Sequence, residues 1–258
     1  MKIDLSDIEP GATPGAPGDK AKTAKVTAEL NEQLRDLQER LYAEGKQSLL
    51  VVLQAMDTGG KDGAIKHVFQ GVNPVGVHVA SFKAPTPIEL AHDFLWRIHQ
   101  RAPAKGDIVI FNRSHYESVL IERVHDLVPK STWQARYEQI NEFEAMLVSE
   151  GTTVLKFFLY ISKDEQRERL LARLDHPHKT WKFNPADIAE RKLWDAYMAA
   201  YEDAINKTST DHAPWHVVPA NHKWYRNYFV SKTLVETLEK MDPQYPAKDL
   251  SAVNRDEI

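Results

Sequence analysis

The stretch that most constrains this chain is SLLVVLQAMDTGGKDG, residues 48–63. Its apolar part, residues 49–53, is rich in β-branched residues and too short for an ordinary helix, which predicts a buried strand. A glycine-rich turn follows, and Lys61 opens a segment with helical character. This order favours phosphate binding, because backbone N–H groups and the positive end of the helix dipole face the anion while the lysine adds a full charge.

The turn matches the P-loop pattern G-x-x-x-x-G-K-[ST] only in part. Ala55 stands for the first glycine, and Asp62 replaces the Ser or Thr that usually reaches the metal. The glycines would let the backbone approach a phosphate closely, since a Cβ would block it. The alternative is a plain glycine-rich turn between a strand and a helix.

Composition narrows the classes of protein. A chain of 258 residues could form one large α/β domain or two small ones. With 42% hydrophobic and 27% charged residues, it has an ordinary soluble globular composition and enough apolar residues for a sizeable core. A net charge of −4 argues against a general nucleic-acid-binding surface, so a polyanion site must be a local basic cleft. The absence of cysteine excludes disulfides and thiolate metal sites. Without a leader-like segment or an apolar run of about 18 residues, we expect no membrane contact and a cytoplasmic location.

The pattern of the chain predicts its organisation. Residues 1–19 are rich in Pro and Gly, which indicates a mobile N-terminal arm or a strap over the surface. Apolar residues at helical spacing over residues 20–44 predict an amphipathic helix ending at Gly45, packed on its own domain or on a second subunit. We assign residues 20–258 to a single domain.

Further short apolar runs alternate with helical segments. They predict strands at residues 77–82, 107–112, 153–161 and 216–220. Helix starts are expected after Thr86, Ser131 and Ser162, each followed three residues later by Glu or Gln, and after Asn221. Alternation of this kind predicts an α/β fold with a mainly parallel sheet of about five strands, covered on both faces. Ligands of such sheets bind beyond the carboxyl ends of the strands.

A long helical insertion, about residues 163–210, separates the last two predicted strands. Prolines 177 and 185 break it, and its cations include Arg167, Arg169, Arg173, Lys179, Lys182, Arg191 and Lys192. Such a basic flap is typical of a phosphotransferase lid, which excludes water and brings cations to the transferring group. The alternative is a solvated pair of charged helices, since acidic residues are interspersed. Trp181, in the break, is the one tryptophan that could touch a nucleobase.

A second constellation follows the predicted strand at residues 107–112. Asn112 stands where many P-loop enzymes place a metal-binding carboxylate, and Arg113 comes next. A metal would then rely on Asp57, with Asp62 and Glu117 as lesser candidates. The alternative is an ion pair between Arg113 and Glu117 within one helix, expected over residues 114–126. Lys83, after the second strand, is a further candidate cation or a surface residue.

Four stretches resemble the family-2 polyphosphate kinases in order and spacing over about residues 25–240. They are LQAMDTGGKDGAIKHV (53–68), GVNPVGVHVASFKAPTPIE (71–89), GDIVIFNRSHYESVLIERVH (106–125) and RLDHPHKTWKFNPADIAER (173–191). The resemblance implies a P-loop kinase-like three-layer α/β/α sandwich with a helical lid. It also implies reversible, Mg²⁺-dependent phosphoryl transfer between inorganic polyphosphate and a nucleotide, with Mn²⁺ as the substitute metal.

The resemblance also implies roles for individual residues. The expected catalytic residues are Asp57, Lys61, Arg113 and Arg173. The expected phosphate-binding residues are Thr58, Gly59, Gly60, Lys61, Asp62, Gly63, Lys66, Lys83 and Arg123. The expected acceptor-binding residues are Asn112, Arg113, Tyr116, Glu117, Arg173, Lys179 and Asp187. The expected metal ligands are Asp57, Asp62 and Glu117.

One departure refines the resemblance. Many members carry FDRSWYNR where this chain has FNRSHYES, which is similar to the class III branch that phosphorylates both AMP and ADP. Ser118 stands where that branch is expected to have an acidic residue. The implied partners are polyphosphate, AMP, ADP and ATP, without nucleic acid or membrane. The resemblance also implies a homo-oligomer, a tetramer.

Two rival functions stay open at this point. One is a nucleotide kinase that takes its phosphoryl group from a nucleoside triphosphate, against which Asp62 in place of Ser or Thr argues. The other is a binding module that senses a nucleotide or polyphosphate without turnover, against which the basic lid argues.

Overall fold

The computed structural model describes residues 2–248, and its centre is one sheet of five parallel strands in the order β2-β3-β1-β4-β5. The strands are β1 Ser48–Gln54, β2 Val77–Ser81, β3 Ile108–Asn112, β4 Thr152–Tyr160 and β5 Trp215–Pro219. Each predicted strand is present, with its ends within one residue of the expected position. The mainly parallel α/β sheet is thereby confirmed.

The strand β1 lies at the centre of the sheet and is buried along its whole length. Its register aligns Leu53 with Asn112 of β3 and with Phe157 of β4, while Ser81 of β2 also lies opposite Asn112. The carboxyl ends of β2, β3 and β1 therefore meet at one edge. The segments that follow these strands carry the phosphate loop, Lys83 and Arg113, so this edge holds the candidate site.

Helices flank the sheet. Within residues 2–248 they are α1 Lys20–Glu44, α2 Lys61–Val68, α3 Pro87–Leu90, α4 Trp96–His99, α5 Ile121–Val124, α6 Lys130–Ser149, α7 Lys163–Leu174, α8 Ala186–Lys192, α9 Trp194–Thr208 and α10 Lys223–Met241. One group packs α1 and α2 against α10, and the other packs α6 against β4 and α9. The apolar face of α1 lies in the core of its own domain. None of these helices is long and apolar enough to cross a bilayer.

Several predicted helix ends are confirmed and others are wrong. Thr86 forms the expected capping box with Glu89, and Ser162 accepts a hydrogen bond from the Glu165 N–H. Ser131 caps nothing, because α6 already begins at Lys130. Asn221 is also not a cap, since its Oδ1 accepts from the Ser162 N–H and α10 begins two residues later.

Two of the segments expected to form single helices are broken. Residues 86–101 form the two short helices α3 and α4, and residues 114–126 form a 3₁₀ turn, His115–Val119, followed by α5. The 3₁₀ turn has three residues per turn instead of 3.6, so side chains that would share a helix face diverge.

The segment before α1 packs as a strap, one of the two forms that the sequence left open. Both backbone groups of Ile3 hydrogen-bond to the Asn206 side chain of α9, at 2.7 Å each. The Leu5 side chain is buried in the core. Further along, the hydroxyls of Tyr225 and Tyr228 of α10 donate to the carbonyls of residues 14 and 15. These contacts fasten residues 3–15 across α9 and α10.

Candidate active site

The phosphate loop consists of residues 55–60, between β1 and α2. Its backbone is left-handed at Thr58, with φ of 63°, and at Gly60, with φ of 100°. A Cβ on Gly59 would lie 2.5 Å from the Ala55 Cβ, and a Cβ on Gly60 would lie 2.1 Å from the Arg226 Nη1. Both positions therefore require glycine, because no side chain fits.

Lys61 begins α2 and turns its side chain back under the loop. Its Nζ donates to the carbonyl oxygen of Ala55 at 3.0 Å. Burial, together with the charge of Arg113, lowers the Lys61 pKa, and the nearby carboxylates offset part of this effect. A desolvated ammonium interacts strongly with an anion because little water screens it.

Arg113 follows β3 and is held in the left-handed region, with φ of 61°. Its Nη2 donates to Asp57 Oδ1 at 2.9 Å, and its Nη1 lies 3.7 Å from Glu117 Oε2. A non-glycine residue in this region costs about 1–3 kcal/mol, and such strain clusters at functional sites. The ion pair with Glu117, our alternative interpretation, is thus present together with the contact to Asp57.

A cleft of about 670 Å³ lies between the phosphate loop and the insertion after β4. Two carboxylates, those of Asp57 and Asp62, line it together with many cations. The cations are Lys61, Lys83, Arg113, Arg169, Arg173, Lys179, Lys182 and Lys223. The cleft is strongly basic on a chain whose net charge is −4, so positive charge is concentrated here.

A second, smaller pocket of about 210 Å³ adjoins the cleft. Asp57 and Arg113 line both spaces, so their ion pair stands at the junction. The second pocket is acidic and tyrosine-rich, with Glu117, Asp187, Glu190, Tyr197 and Tyr201 in its wall. Burial raises the pKa of Glu117, and the charges of Arg113 and Lys61 act against this shift.

The insertion covers the cleft with α7, a 3₁₀ turn at Thr180–Lys182, and α8. Arg173 Nη1 lies 3.3 Å from Asp187 Oδ2, which ties α7 to α8. Lys182 Nζ lies 3.8 Å from Asp62 Oδ2, which connects the turn to the phosphate loop. The expected lid extended to residue 210, but α9 buries Tyr201 and Ala204 in the core, so the covering part ends before α9.

Most of the predicted site residues line these two spaces. In the cleft are Asp57, Thr58, Gly59, Gly60, Lys61, Asp62, Gly63, Lys83, Asn112, Arg113, Arg173 and Lys179, and in the smaller pocket are Glu117 and Asp187. Asn112 Nδ2 donates to Asp62 Oδ1 at 2.8 Å, which connects the end of β3 to the first turn of α2.

Three predicted residues lie elsewhere. Tyr116 is fully buried, and its hydroxyl donates to Glu144 at 2.9 Å, because the 3₁₀ turn directs it into the core. Arg123 Nη1 pairs with Asp203 at 2.7 Å and stacks its guanidinium over Trp133. Lys66 is exposed on α2 and lines neither space. The structure thus does not support acceptor binding by Tyr116 or phosphate binding by Arg123 and Lys66.

Sequence analysis overlooked two cations of α10. Lys223 lines the cleft, and Arg226 lies against the phosphate loop at Gly60 and Gly63. Lys223 comes shortly after β5, so the reasoning that singled out Lys83 after β2 could have found it. No local pattern marks Arg226.

The donor set fits a hard divalent cation that binds together with phosphate. Residues 2–248 contain no group of three or more His, Asp or Glu side chains arranged to hold a metal by themselves. Mg²⁺ commonly binds through one or two carboxylates, with phosphate oxygens and water completing its shell. Asp57, beside the Lys61 ammonium, supplies such a carboxylate, and the buried Thr58 hydroxyl has no hydrogen-bond partner in the described part of the chain.

A parallel sheet of order β2-β3-β1-β4-β5, with a phosphate loop after its central strand and a basic helical cover, defines a P-loop-type phosphotransferase fold. The chain belongs to the polyphosphate kinase 2 (PPK2) family, whose model matches residues 18–246. The family resemblance seen in the sequence is thereby confirmed.

Curated relatives cover most of the chain. It is 58% identical over 251 residues to the AMP/ADP-polyphosphate phosphotransferase of Meiothermus ruber, an alignment that covers 97% of this chain and 94% of the relative. It is 48% identical over 227 residues to the ADP-polyphosphate phosphotransferase of Rhodopseudomonas palustris, covering 83% and 78% of the two chains.

Solved structures share the fold. The polyphosphate kinase 2 of Arthrobacter aurescens TC1 superimposes with a TM-score of 0.94 at 48% identity, over 96% of this chain and 89% of that one. The putative polyphosphate kinase 2 of Pseudomonas aeruginosa PA01 gives a TM-score of 0.86 at 33% identity, over 92% and 50%.

Proposed function

We propose that the protein transfers a phosphoryl group from inorganic polyphosphate to AMP and to ADP, reversibly, forming ADP and ATP. The observation that carries this proposal is the basic cleft around Lys61, in which eight Lys and Arg side chains face two carboxylates. A polyanionic chain neutralises such a cleft better than a single phosphate does. The same substrates are supported by two relatives, the AMP/ADP-polyphosphate phosphotransferase of Meiothermus ruber and the ADP-polyphosphate phosphotransferase of Rhodopseudomonas palustris.

The two spaces suggest a division between donor and acceptor. Polyphosphate would occupy the larger cleft, and the acceptor phosphate would enter from the smaller pocket. The two would meet beside the ion pair of Asp57 and Arg113, which lines both spaces. No protein nucleophile is needed, because the acceptor phosphate is already ionised and the transition state is loose.

The residues then have separate tasks. Lys61 and Arg113 would hold non-bridging oxygens, where negative charge is spread in the transition state. Arg173, Lys179 and Lys182 would bind the donor from the covering helices and exclude water. Asp57, with Glu117 and Asp62 nearby, would hold Mg²⁺ or, as a substitute, Mn²⁺, which would offset the negative charge of the phosphates.

The resemblance to the family also suggests an oligomeric state and a cellular location for the protein. We propose a homo-oligomer, a tetramer, that acts in the cytoplasm without nucleic-acid partners. Size-exclusion chromatography with light scattering tests the tetramer, and a monomeric mass would contradict it.

Product analysis by chromatography tests the proposed reaction. The purified protein is incubated with Mg²⁺, polyphosphate and either AMP or ADP. We expect ADP followed by ATP from AMP, and ATP from ADP. Product from ADP alone would remove AMP from the proposal, and turnover that requires ATP as donor would replace polyphosphate kinase by nucleotide kinase. Binding of polyphosphate without any product would leave a binding module.

A further inference from the structure

Arg226 of α10 is a buried cation without a carboxylate partner. Only 2% of the residue is exposed, and it makes no ion pair within residues 2–248. Its Nε and Nη2 donate to the neutral Oδ1 of Asn227, at 3.1 and 2.7 Å. Buried charges are ordinarily paired, because removing a charge from water is costly. The lack of a counter-ion therefore calls for an explanation.

The guanidinium lies against the first turn of α2. A Cβ on Gly60 would be 2.1 Å from Arg226 Nη1, and a Cβ on Gly63 would be 3.2 Å from Arg226 Nη2. The three atoms nearest to the Gly63 position all belong to Arg226. The second glycine of the GKDG sequence thus makes room for this side chain, although alanine is the better helix former.

The surroundings of Arg226 increase the positive charge. Arg169 Nη1 lies 3.6 Å from the Cβ position of Gly60 and donates to the Thr58 carbonyl. Its Nη2 donates to the carbonyls of Ala220 and Asn221, and its Nε donates to the Glu165 carboxylate. The amino end of α2 adds the positive end of a helix dipole. Burial, with repulsion from Arg169, lowers the Arg226 pKa to about 10, so the side chain stays charged at neutral pH.

We infer that Arg226 is a positioning residue that supports the phosphate loop from behind and holds an uncompensated positive charge whose counter-ion is the bound polyphosphate. This inference rests on the proposed function and deepens it. The free protein bears the cost of an unpaired buried charge. Binding of the anion removes part of that cost, so the charge contributes to polyphosphate affinity although the side chain does not line the cleft. Gly63 is a glycine so that Arg226 can approach.

The test compares Arg226→Met and Arg226→Lys with the wild type. Arg136→Met is the matched control, because Arg136 is paired with Glu122 at 2.5 Å and lies outside the cleft. The melting temperature Tm is measured for each full-length protein with and without long-chain polyphosphate, and KM is measured for polyphosphate and for AMP.

We expect opposite behaviour from the two methionine variants. Arg226→Met should keep or raise the Tm of the free protein, lose at least half of the Tm shift caused by polyphosphate, and raise KM for polyphosphate about tenfold with KM for AMP unchanged. Arg226→Lys should restore part of the shift. Arg136→Met should lower the Tm of the free protein and keep the full shift. A wild-type shift and KM in Arg226→Met would overturn the inference, whatever the Tm of the free variant.

A double-mutant cycle with Gly63→Ala tests the steric part. With Arg226 present, Gly63→Ala crowds the Arg226 guanidinium and should raise KM for polyphosphate. In the Arg226→Met background the same substitution should raise KM for polyphosphate by a smaller factor than in the wild type and should raise Tm, since the guanidinium that alanine crowds is gone while the helix preference for alanine remains. Equal effects of Gly63→Ala in both backgrounds would overturn the link between the two residues.

The inference and the proposed function fail separately. Binding of polyphosphate by the wild type without product would overturn the proposed reaction, while the shifts of the variants would still decide the role of Arg226. Normal wild-type turnover with equal shifts in wild type and Arg226→Met would overturn the role of Arg226 alone.

Discussion

Arg113 Nη2 donates to Asp57 Oδ1 at 2.9 Å, and this ion pair stands where the basic cleft and the smaller pocket meet. Arg113 is fixed by an unusual backbone conformation, and Asp57 begins the glycine-rich turn, so both side chains are held by their own segments. A divalent cation at Asp57 and a phosphate at Arg113 would each replace the present ion pair with a contact to the ligand. The pair therefore prepares the two charges at the position where donor and acceptor would meet.

Removing either of the main charges of the phosphate loop should abolish most activity. Lys61→Ala and Asp57→Ala are expected to lower kcat on the order of 100-fold or more, because positioned charge is the largest contribution to phosphoryl transfer. Initial rates with polyphosphate and ADP measure the effect, and circular dichroism checks the fold. Lys232→Ala is the control, since Lys232 is exposed on α10 and pairs with Glu236. Near-normal turnover in either loop variant would remove these roles.

The covering helices should act on polyphosphate affinity. Arg173→Ala is expected to raise KM for polyphosphate about tenfold and to weaken its dependence on salt, because one cation is lost from the cleft. Arg167→Ala is the matched control, as Arg167 lies exposed on the same helix α7 and does not line the cleft. Steady-state kinetics between low and moderate salt separates the two variants. Equal effects of both substitutions would show that only the general charge of α7 matters.

Glu117 should make stability depend on pH. Burial raises its pKa above the ordinary glutamate value, so the folded state binds the proton more tightly than the unfolded state does. The associated stability is present below the unfolded pKa, about 4.3, and is lost as pH rises through the raised pKa of the folded protein. Glu117→Gln, which stays neutral, should therefore raise Tm at pH 7 and leave it nearly unchanged at pH 4. A Tm difference that is the same at both pH values would contradict the assignment.

A buried ion pair in the core should govern stability but not catalysis. Lys156 Nζ lies 2.5 Å from Glu144 Oε2, and both side chains are fully buried. Lys156→Met leaves Glu144 without its cation and should lower the free energy of unfolding by about 3–5 kcal/mol. Urea unfolding measures the loss, and KM for polyphosphate should not change. The double variant Lys156→Met/Glu144→Leu should recover much of the stability, and failure to recover any would argue against the electrostatic explanation.

The sheet could be predicted from the sequence because its signal is local. Runs such as residues 49–53 are apolar and rich in β-branched residues, and glycines follow them. A few neighbouring residues therefore suffice to predict a buried strand and its ends. The phosphate loop is local in the same sense, since its turn and Lys61 adjoin the strand. The family resemblance then brought in the rest of the loop and the covering helices.

Contacts between distant segments could not be predicted in this way. The resemblance implies an acceptor role for Tyr116, but its hydroxyl donates to Glu144, 28 positions away, and the side chain lies in the core. Arg226 was overlooked because it reaches the loop only through the packing of α10 on α2. The choice between a mobile N-terminal arm and a strap stayed open for the same reason, because the partners of the strap are on α9 and α10.

The strap affects the order in which segments of the chain can fold during synthesis. Tyr225 and Tyr228, which fasten residues 14 and 15, flank Arg226, which lies under the phosphate loop. During synthesis residues 14 and 15 precede Tyr225 and Tyr228 by 211 and 213 positions, so they can dock only after α10 has been made. The helix α10 thus supplies both the partners of residues 14 and 15 and the Arg226 guanidinium beside the phosphate loop. A nascent chain that has not yet formed α10 would therefore lack both contacts at once.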